Sequence, residues 1–264
     1  MSALDFAALL RAEKIKARSA VAAPPPAPRP KQQQSRPPPD AATAALDASR
    51  PRPALQVLPG APPTIAYAAD WISEAEEAAI VAAAKRGDDW VTVRGRRLRR
   101  LGGPAGEAGF APEPLPRWAR DACAAAAASD TSSRPAPNHV LVNAYDFAKE
   151  SYVLPHTDGP AYDDRTFTLS CGADAVVVFK ERLKTSDIGI RAAATRCEVL
   201  LRRRSLLAFS REAYTECTHE IGAAPDTIGL CCVNLNAADA RVGDVVGRAG
   251  ERVSFTLRCA GGAE

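Results

Sequence analysis

A mainly β domain, a sandwich or barrel with helices packed on one side, is what this 264-residue sequence predicts. Three observations carry that expectation. After residue 137 the chain breaks into short runs rich in β-branched and apolar residues, separated by turn-forming positions. Ahead of them stand two alanine-rich stretches with helix start and stop signals. The first 60 residues hold half of the 22 prolines, and missing N–H donors with fixed φ angles oppose both helix and sheet.

The elements follow in order. Leu4, Phe6, Leu9 and Leu10 predict a short amphipathic helix that a protein partner's groove could read, a frayed surface helix being the alternative. Residues 19 to 62, with "APPPAPRPKQQQSRPPP", read as disordered and partly polyproline II. Residues 1–63 are therefore expected to be tail and 64–264 the folded domain. In "WISEAEEAAIVAAAKRG", Ser73 followed by Glu76 is a capping box and Gly87 a left-handed stop, so a helix is expected over 74 to 86. A second is expected over 115 to 129, in "LPRWARDACAAAAAS". Seven strands are expected at 139–145, 165–171, 175–180, 197–202, 205–210, 230–235 ("LCCVNL") and 252–260. Gly172 with Asp174, and the Arg203/Arg204 corner, fall where turns are needed.

Composition narrows the function classes. The formal net charge is +3, but residues 1 to 60 hold nine Lys/Arg against four Asp/Glu, a surplus of five, which leaves −2 for the rest. Overall basicity thus gives no argument for nucleic-acid binding by the folded part. Seven cysteines without C-x-x-C spacing, two of them vicinal at Cys231 and Cys232, give neither a disulfide framework nor a zinc site. The chain reads as intracellular, in nucleus or cytoplasm. No apolar run approaches the ~18 residues of a membrane span, and Asp5 interrupts what would be the apolar part of a signal peptide.

The chemistry gathers at "VLPHTDGP". A strand sends residues i and i+2 to one face, so His156 and Asp158 would point the same way. An imidazole and a carboxylate on one face make two thirds of a 2-His-1-carboxylate triad, the set that holds Fe(II) while leaving one side open. A lone H-x-D also pins turns through a His–Asp hydrogen bond. Of the two remaining histidines, His219 lies just beyond the 197–210 strand pair, where the chain could return to the same site; His139, with no acidic neighbour two residues away, reads as structural. In "RVSFTLRC", alternation puts Arg252, Ser254, Thr256 and Arg258 on one face and Val253, Phe255, Leu257 and Cys259 on the other. The guanidiniums start roughly 20 Å apart along a straight strand, yet long side chains leaning together could clamp a small dicarboxylate; a solvated edge strand is the alternative. Asn143 and Tyr145 share a face in "NAY" and could add donors to the same acid. In "VRGRRLRRLGG", Arg94, Arg96, Arg97, Arg99 and Arg100 could track a phosphate backbone or form a solvated basic loop.

In that order and spacing the chain resembles the AlkB-type dioxygenases, which depend on Fe(II) and 2-oxoglutarate. The segments "WISEAEE", "RGRRLRRLGG", "NHVLVNAY", "PHTDGP", "RRSLLAFSREAYTECTHEI" and "RVSFTLR" resemble the subfamily numbered six among animal AlkB homologues, over about residues 64 to 260. The resemblance implies a double-stranded β-helix, or jelly-roll, core. It implies iron ligation by His156, Asp158 and His219, and 2-oxoglutarate binding by Asn143, Tyr145, Arg252 and Ser254, with Arg258 near the other carboxylate. It implies O₂ as co-substrate, hydroxylation of an N-methyl group lost as formaldehyde, and a methylated nucleobase as substrate, with the five arginines on a substrate-recognition lid. A dioxygenase acting on protein or a metabolite, and an idle jelly-roll scaffold, are the rival readings. The glycine the family carries shortly after N-x-Y is absent here ("DFAKESYVL"), and the segments "ERLKTSDIGIRAAATRCE" and "NAADARVGDVVGRAG" are long.

Overall fold

The computed structural model describes residues 45–106, 109–147, 151–188, 192–223, 226–247 and 250–261. The expected N-terminal helix and most of the proline-rich stretch lie outside them. In chain order the elements are β1 (Gln56–Val57), β2 (Ile65–Ala68), α1 (Glu74–Lys85), β3 (Val91–Val93), β4 (Arg96–Leu101), β5 (Ala105–Gly106), β6 (Gly109–Phe110), α2 (Arg117–Ala128), β7 (His139–Asp146), β8 (Val153–His156), β9 (Tyr162–Gly172) and β10 (Ala175–Glu181), followed by β11 (Thr195–Leu201), β12 (Leu206–Ser210), α3 (Arg211–Thr215), β13 (Cys217–Ile221), β14 (Asp226–Thr227), β15 (Val245–Val246) and β16 (Glu251–Ala260).

Eight strands form one sheet, in the order β1-β2-β12-β9-β16-β7-β4-β3, and four form a second, β11-β10-β13-β8. Alternation along the central strands decides what each face does. Val253, Phe255 and Leu257 of β16, with Val140, Val142 and Ala144 of β7, pack under Ile80 and Ala84 of α1 and Trp118 and Ala122 of α2. The Trp118 and Phe255 rings meet edge to face at 5.7 Å. On the other side Ile65, Tyr67, Leu207 and Phe209 meet Val177, Phe179, Val199 and Leu201 of the smaller sheet. The result is the mainly β, double-stranded β-helix architecture with its two long helices on one side, the short α3 packing in the other core. The two sheets enclose the inner face of β16.

β2, β4, β8 and β13 are not among the seven expected strands, and local details depart from the sequence reading at three further places. Order begins ahead of Thr64: Ala45 and Leu46 join the helix-side core, Arg50 and Arg52 pair with Glu76, and Arg52 stacks on Trp71 at 4.7 Å. Glu76 is the residue that also closes the α1 capping box with Ser73, so one carboxylate serves both the helix start and the segment before it. Gly87 is not a left-handed stop. The helix ends at Arg86 in right-handed geometry, and the glycine is needed for space, because a Cβ there would lie 2.0 Å from Arg99 Cζ. Arg99 reaches into that gap and donates to the Ala84 carbonyl at 2.9 Å, one of the acceptors a helix end leaves open.

The third departure is "LCCVNL", which is not a strand. Only Cys232 bridges, parallel to Glu198. The Asn234 amide takes the place of a ladder, accepting from the Leu200 N–H and donating to the Leu200 carbonyl, both at 2.9 Å. Of the described residues, 183–188 and 192 fall in a unit separate from the rest. Within them a 3₁₀ turn spans Thr185–Asp187, with the Asp187 N–H donating to the Lys184 carbonyl at 2.9 Å.

Candidate metal and cofactor site

β8 and β13 pair so that His156 stands opposite His219, and their rings lie 4.3 Å apart, centre to centre. Asp158 follows β8 in the adjoining loop instead of continuing the strand, and still reaches the same point. One ligand atom from each of His156, Asp158 and His219 lies within 4.8 Å of the others. The Leu154 carbonyl is 2.9 Å from His156 Nδ1. A carbonyl only accepts, so Nδ1 carries the proton and Nε2 keeps its lone pair for a metal. Phe209, 5.1 Å away, and Phe179 seat the His219 ring.

The electrostatics suit a cation. Burial, then the neighbouring His156, pushes His219 down to about 3, and burial lowers His156 as well. Both imidazoles are therefore neutral near pH 7. Burial alone would raise Asp158, but Arg258, with His219 and His156, outweighs it and holds the carboxyl down to about 2. Arg258 Nη1 donates to Asp158 Oδ1 and Thr166 Oγ1 to Oδ2, each at 2.8 Å. The Arg258 guanidinium lies 3.9 Å over the Tyr162 ring. Arg258 thus positions the triad's carboxylate.

The inner face of the larger sheet also carries a row of polar side chains. Arg252 pairs across β16 with Tyr145 on β7, and Ser254 with Asn143, so the four share the inner face. Arg252 is fully buried. It donates to the Ser170 hydroxyl at 3.0 Å and the Ala173 carbonyl at 3.3 Å, and its Nε has no hydrogen-bond partner. No carboxylate forms an ion pair with it among the described residues. A buried guanidinium with neutral partners and an idle N–H fits a carboxylate ligand.

The five arginines of "VRGRRLRRL" do not form one face. Arg94 turns the β3–β4 hairpin at φ +50 and donates to the Tyr152 hydroxyl at 3.3 Å. Arg97 pairs with Glu251 and lies over Trp90; Arg99 pairs with Asp89. Arg96 points the other way, is buried, and donates to Asn143 Oδ1 at 3.1 Å. Arg100 is exposed and, with Arg258, acts after burial itself to push His139 down to about 4. His139 starts β7 fully buried, 5.1 Å from the Tyr162 ring.

Three residues at the site escaped the sequence reading. Thr166 and Tyr162, on β9, hold Asp158 and Arg258. Tyr214, on α3, donates to the Gly159 carbonyl at 2.9 Å and ties down the loop that carries Asp158. No spacing rule picks out a lone threonine or tyrosine; only "EAYTECTHE", which places Tyr214 five residues before His219, offered a signal.

Two neutral imidazoles and an ionised carboxylate at the rim of a jelly roll are the donor set of the non-haem Fe(II) oxygenases. No family model matches the chain. Over 204 residues it is 31% identical to "Probable RNA/DNA demethylase ALKBH6" of Danio rerio, a match covering 75% of this chain and 86% of that protein. The chain belongs to the AlkB-like Fe(II)- and 2-oxoglutarate-dependent dioxygenases, for which 2-oxoglutarate and O₂ are co-substrates. Solved structures with similar folds include OsALKBH1, 17% identical over 78% of this chain and 99% of that one with a TM-score of 0.47. Another is a 2OG-Fe(II) oxygenase family oxidoreductase from Burkholderia pseudomallei, 16% identical over 74% and 83% with a TM-score of 0.45.

Proposed function

We propose that the chain oxidatively demethylates a methylated nucleobase in DNA or RNA, with Fe(II) held by His156, Asp158 and His219. The convergence of those three side chains carries the reading. Bound Fe(II) would supply the oxidising chemistry: O₂ is consumed, one oxygen atom entering succinate as 2-oxoglutarate loses CO₂ and the other hydroxylating the N-methyl group, which is then released as formaldehyde. The protein's own work is positioning. The Leu154 carbonyl fixes the His156 tautomer, and Arg258 with Thr166 keeps Asp158 ionised and aimed. Arg252, Ser254, Asn143 and Tyr145 hold the 2-oxo acid. Neutral histidines near pH 7 need lose no proton to bind metal.

The nucleobase is supported by the name of the Danio rerio relative. A base in a duplex would have to be extruded to reach a site enclosed between two sheets. Arg94 and Arg100, both exposed, remain candidates for phosphate. Arg97 and Arg99, being ion-paired, favour the second reading, a protein or small-molecule substrate. Anaerobic titration with Fe(II) and 2-oxoglutarate tests the site. A visible charge-transfer band is expected, and its loss in His219→Ala; equal behaviour of the two proteins overturns the triad. Succinate release against methylated single-stranded DNA, RNA and peptides then decides the substrate, and stimulation by peptide alone would replace the first reading with the second.

A further inference from the structure

The hairpin arginine that turned inward does not fit the phosphate-tracking role read for its motif. Arg96 is 7% exposed and lies on the inner face of β4. Tyr145 is paired on one side with Arg96 and on the other with Arg252. Two buried guanidiniums therefore stand one strand to either side of the same tyrosine, their backbones about 10 Å apart. Neither forms an ion pair with a carboxylate among the described residues, and the Nε of each is buried without a hydrogen-bond partner. Two buried cations without a carboxylate partner are costly. A dianionic ligand between them removes both penalties.

The bond from Arg96 Nη1 to Asn143 adds direction. An asparagine amide has two ends of similar shape and opposite hydrogen-bonding character. A guanidinium only donates, so the atom that meets it must be Oδ1. The Asn143 Nδ2 hydrogens are thereby committed to the other side, where no protein acceptor takes them among the described residues. With Arg96 absent the amide could turn over, presenting an oxygen to an anion.

We propose that Arg96 is a positioning residue for 2-oxoglutarate, locking Asn143 with its N–H donors toward the acid and supplying a second buried positive charge beside Arg252. This rests on the reading of Asn143 and Arg252 as contacts of the 2-oxo acid. Arg96 differs in role from the other four arginines of its hairpin, which leave it as the one committed to the interior.

The test is 2-oxoglutarate binding by the full-length, Mn(II)-loaded protein without O₂, followed by calorimetry, alongside steady-state kinetics. In Arg96→Leu the acid should bind about 10- to 100-fold more weakly, as expected for one lost charge-assisted bond, with KM for 2-oxoglutarate raised and kcat little changed. Arg96→Lys, which keeps charge and bulk, should recover part of the loss and carries the test where the leucine variant does not fold. Asn143→Ala should add little on top of Arg96→Leu. Unchanged 2-oxoglutarate affinity in both Arg96 variants, or an effect confined to KM for the methylated substrate, overturns the proposal. Arg252→Leu separates the two levels. If it binds 2-oxoglutarate normally, the cofactor reading itself fails; if it loses binding while the Arg96 variants keep theirs, only the role of Arg96 falls.

Discussion

Asp158 shows how much of a metal ligand's behaviour is decided by residues that never touch the metal. Each of its oxygens already accepts one hydrogen bond, from a cation and from a hydroxyl. Thr166→Val removes the second at nearly constant volume. Metal affinity is expected to fall about tenfold or more, measurable by Mn(II) titration, while the melting temperature moves little; an unchanged affinity would show that Arg258 alone holds the carboxylate. At this scale the sequence was legible wherever chemistry imposes a pattern. H-x-D and a distant histidine are readable because metal ligation needs those residue types. Thr166, Tyr162 and Tyr214 were not readable, since their value lies in where β9 and α3 happen to pass.

At the scale of elements, periodicity served well where one face is apolar throughout. β7, β9, β10, β11, β12 and β16 and both long helices were anticipated to within a few residues, because each buries a continuous stripe. "LCCVNL" misled because Cys232 and Leu235 pack as a loop over the β10–β11 sheet while Leu230 stands exposed and Asn234 answers the backbone of Leu200. Asn234→Leu should therefore destabilise by about 2 kcal/mol or more, leaving a buried N–H and carbonyl unpaired, and urea denaturation would measure it. A loss within error would mean the loop's packing, not its amide, holds it. The turn between β9 and β10 is a sharper case. Gly172 sits at φ +73, and a Cβ there would meet the Glu251 carbonyl oxygen at 2.2 Å. Gly172→Ala is expected to lower stability by about 2 kcal/mol and, because Gly172 is the strand partner of Arg252, to weaken 2-oxoglutarate binding as well. A variant that melts early yet binds normally would uncouple the turn from the site.

For the whole molecule, a polar interior makes stability depend on pH. His139 titrates near 4 in the folded protein and near 6.5 unfolded. The unfolded chain binds more protons between those values, so stability is complete above about 6.5 and declines as pH falls toward 4. His219, at about 3, acts in the same direction in metal-free protein. Asp158 contributes only above the unfolded carboxylate value and loses that contribution as pH falls toward 2. His139→Leu should flatten the decline by up to about 3 kcal/mol, seen as a smaller pH dependence of the urea midpoint between pH 4 and 8. An identical slope would place the dependence elsewhere.

β16 packs one side against helices and lines the catalytic interior with the other. Had this strand zipped to its neighbours one residue out of step, Arg252 and Arg258 would enter the tryptophan- and alanine-lined layer, and valine, phenylalanine and leucine would replace them on the inner face. Such a chain would carry two stranded cations in hydrocarbon and could not persist as a quiet, well-folded but inactive species. One register of this strand thus sets both the packing of the helix layer and the make-up of the polar interior.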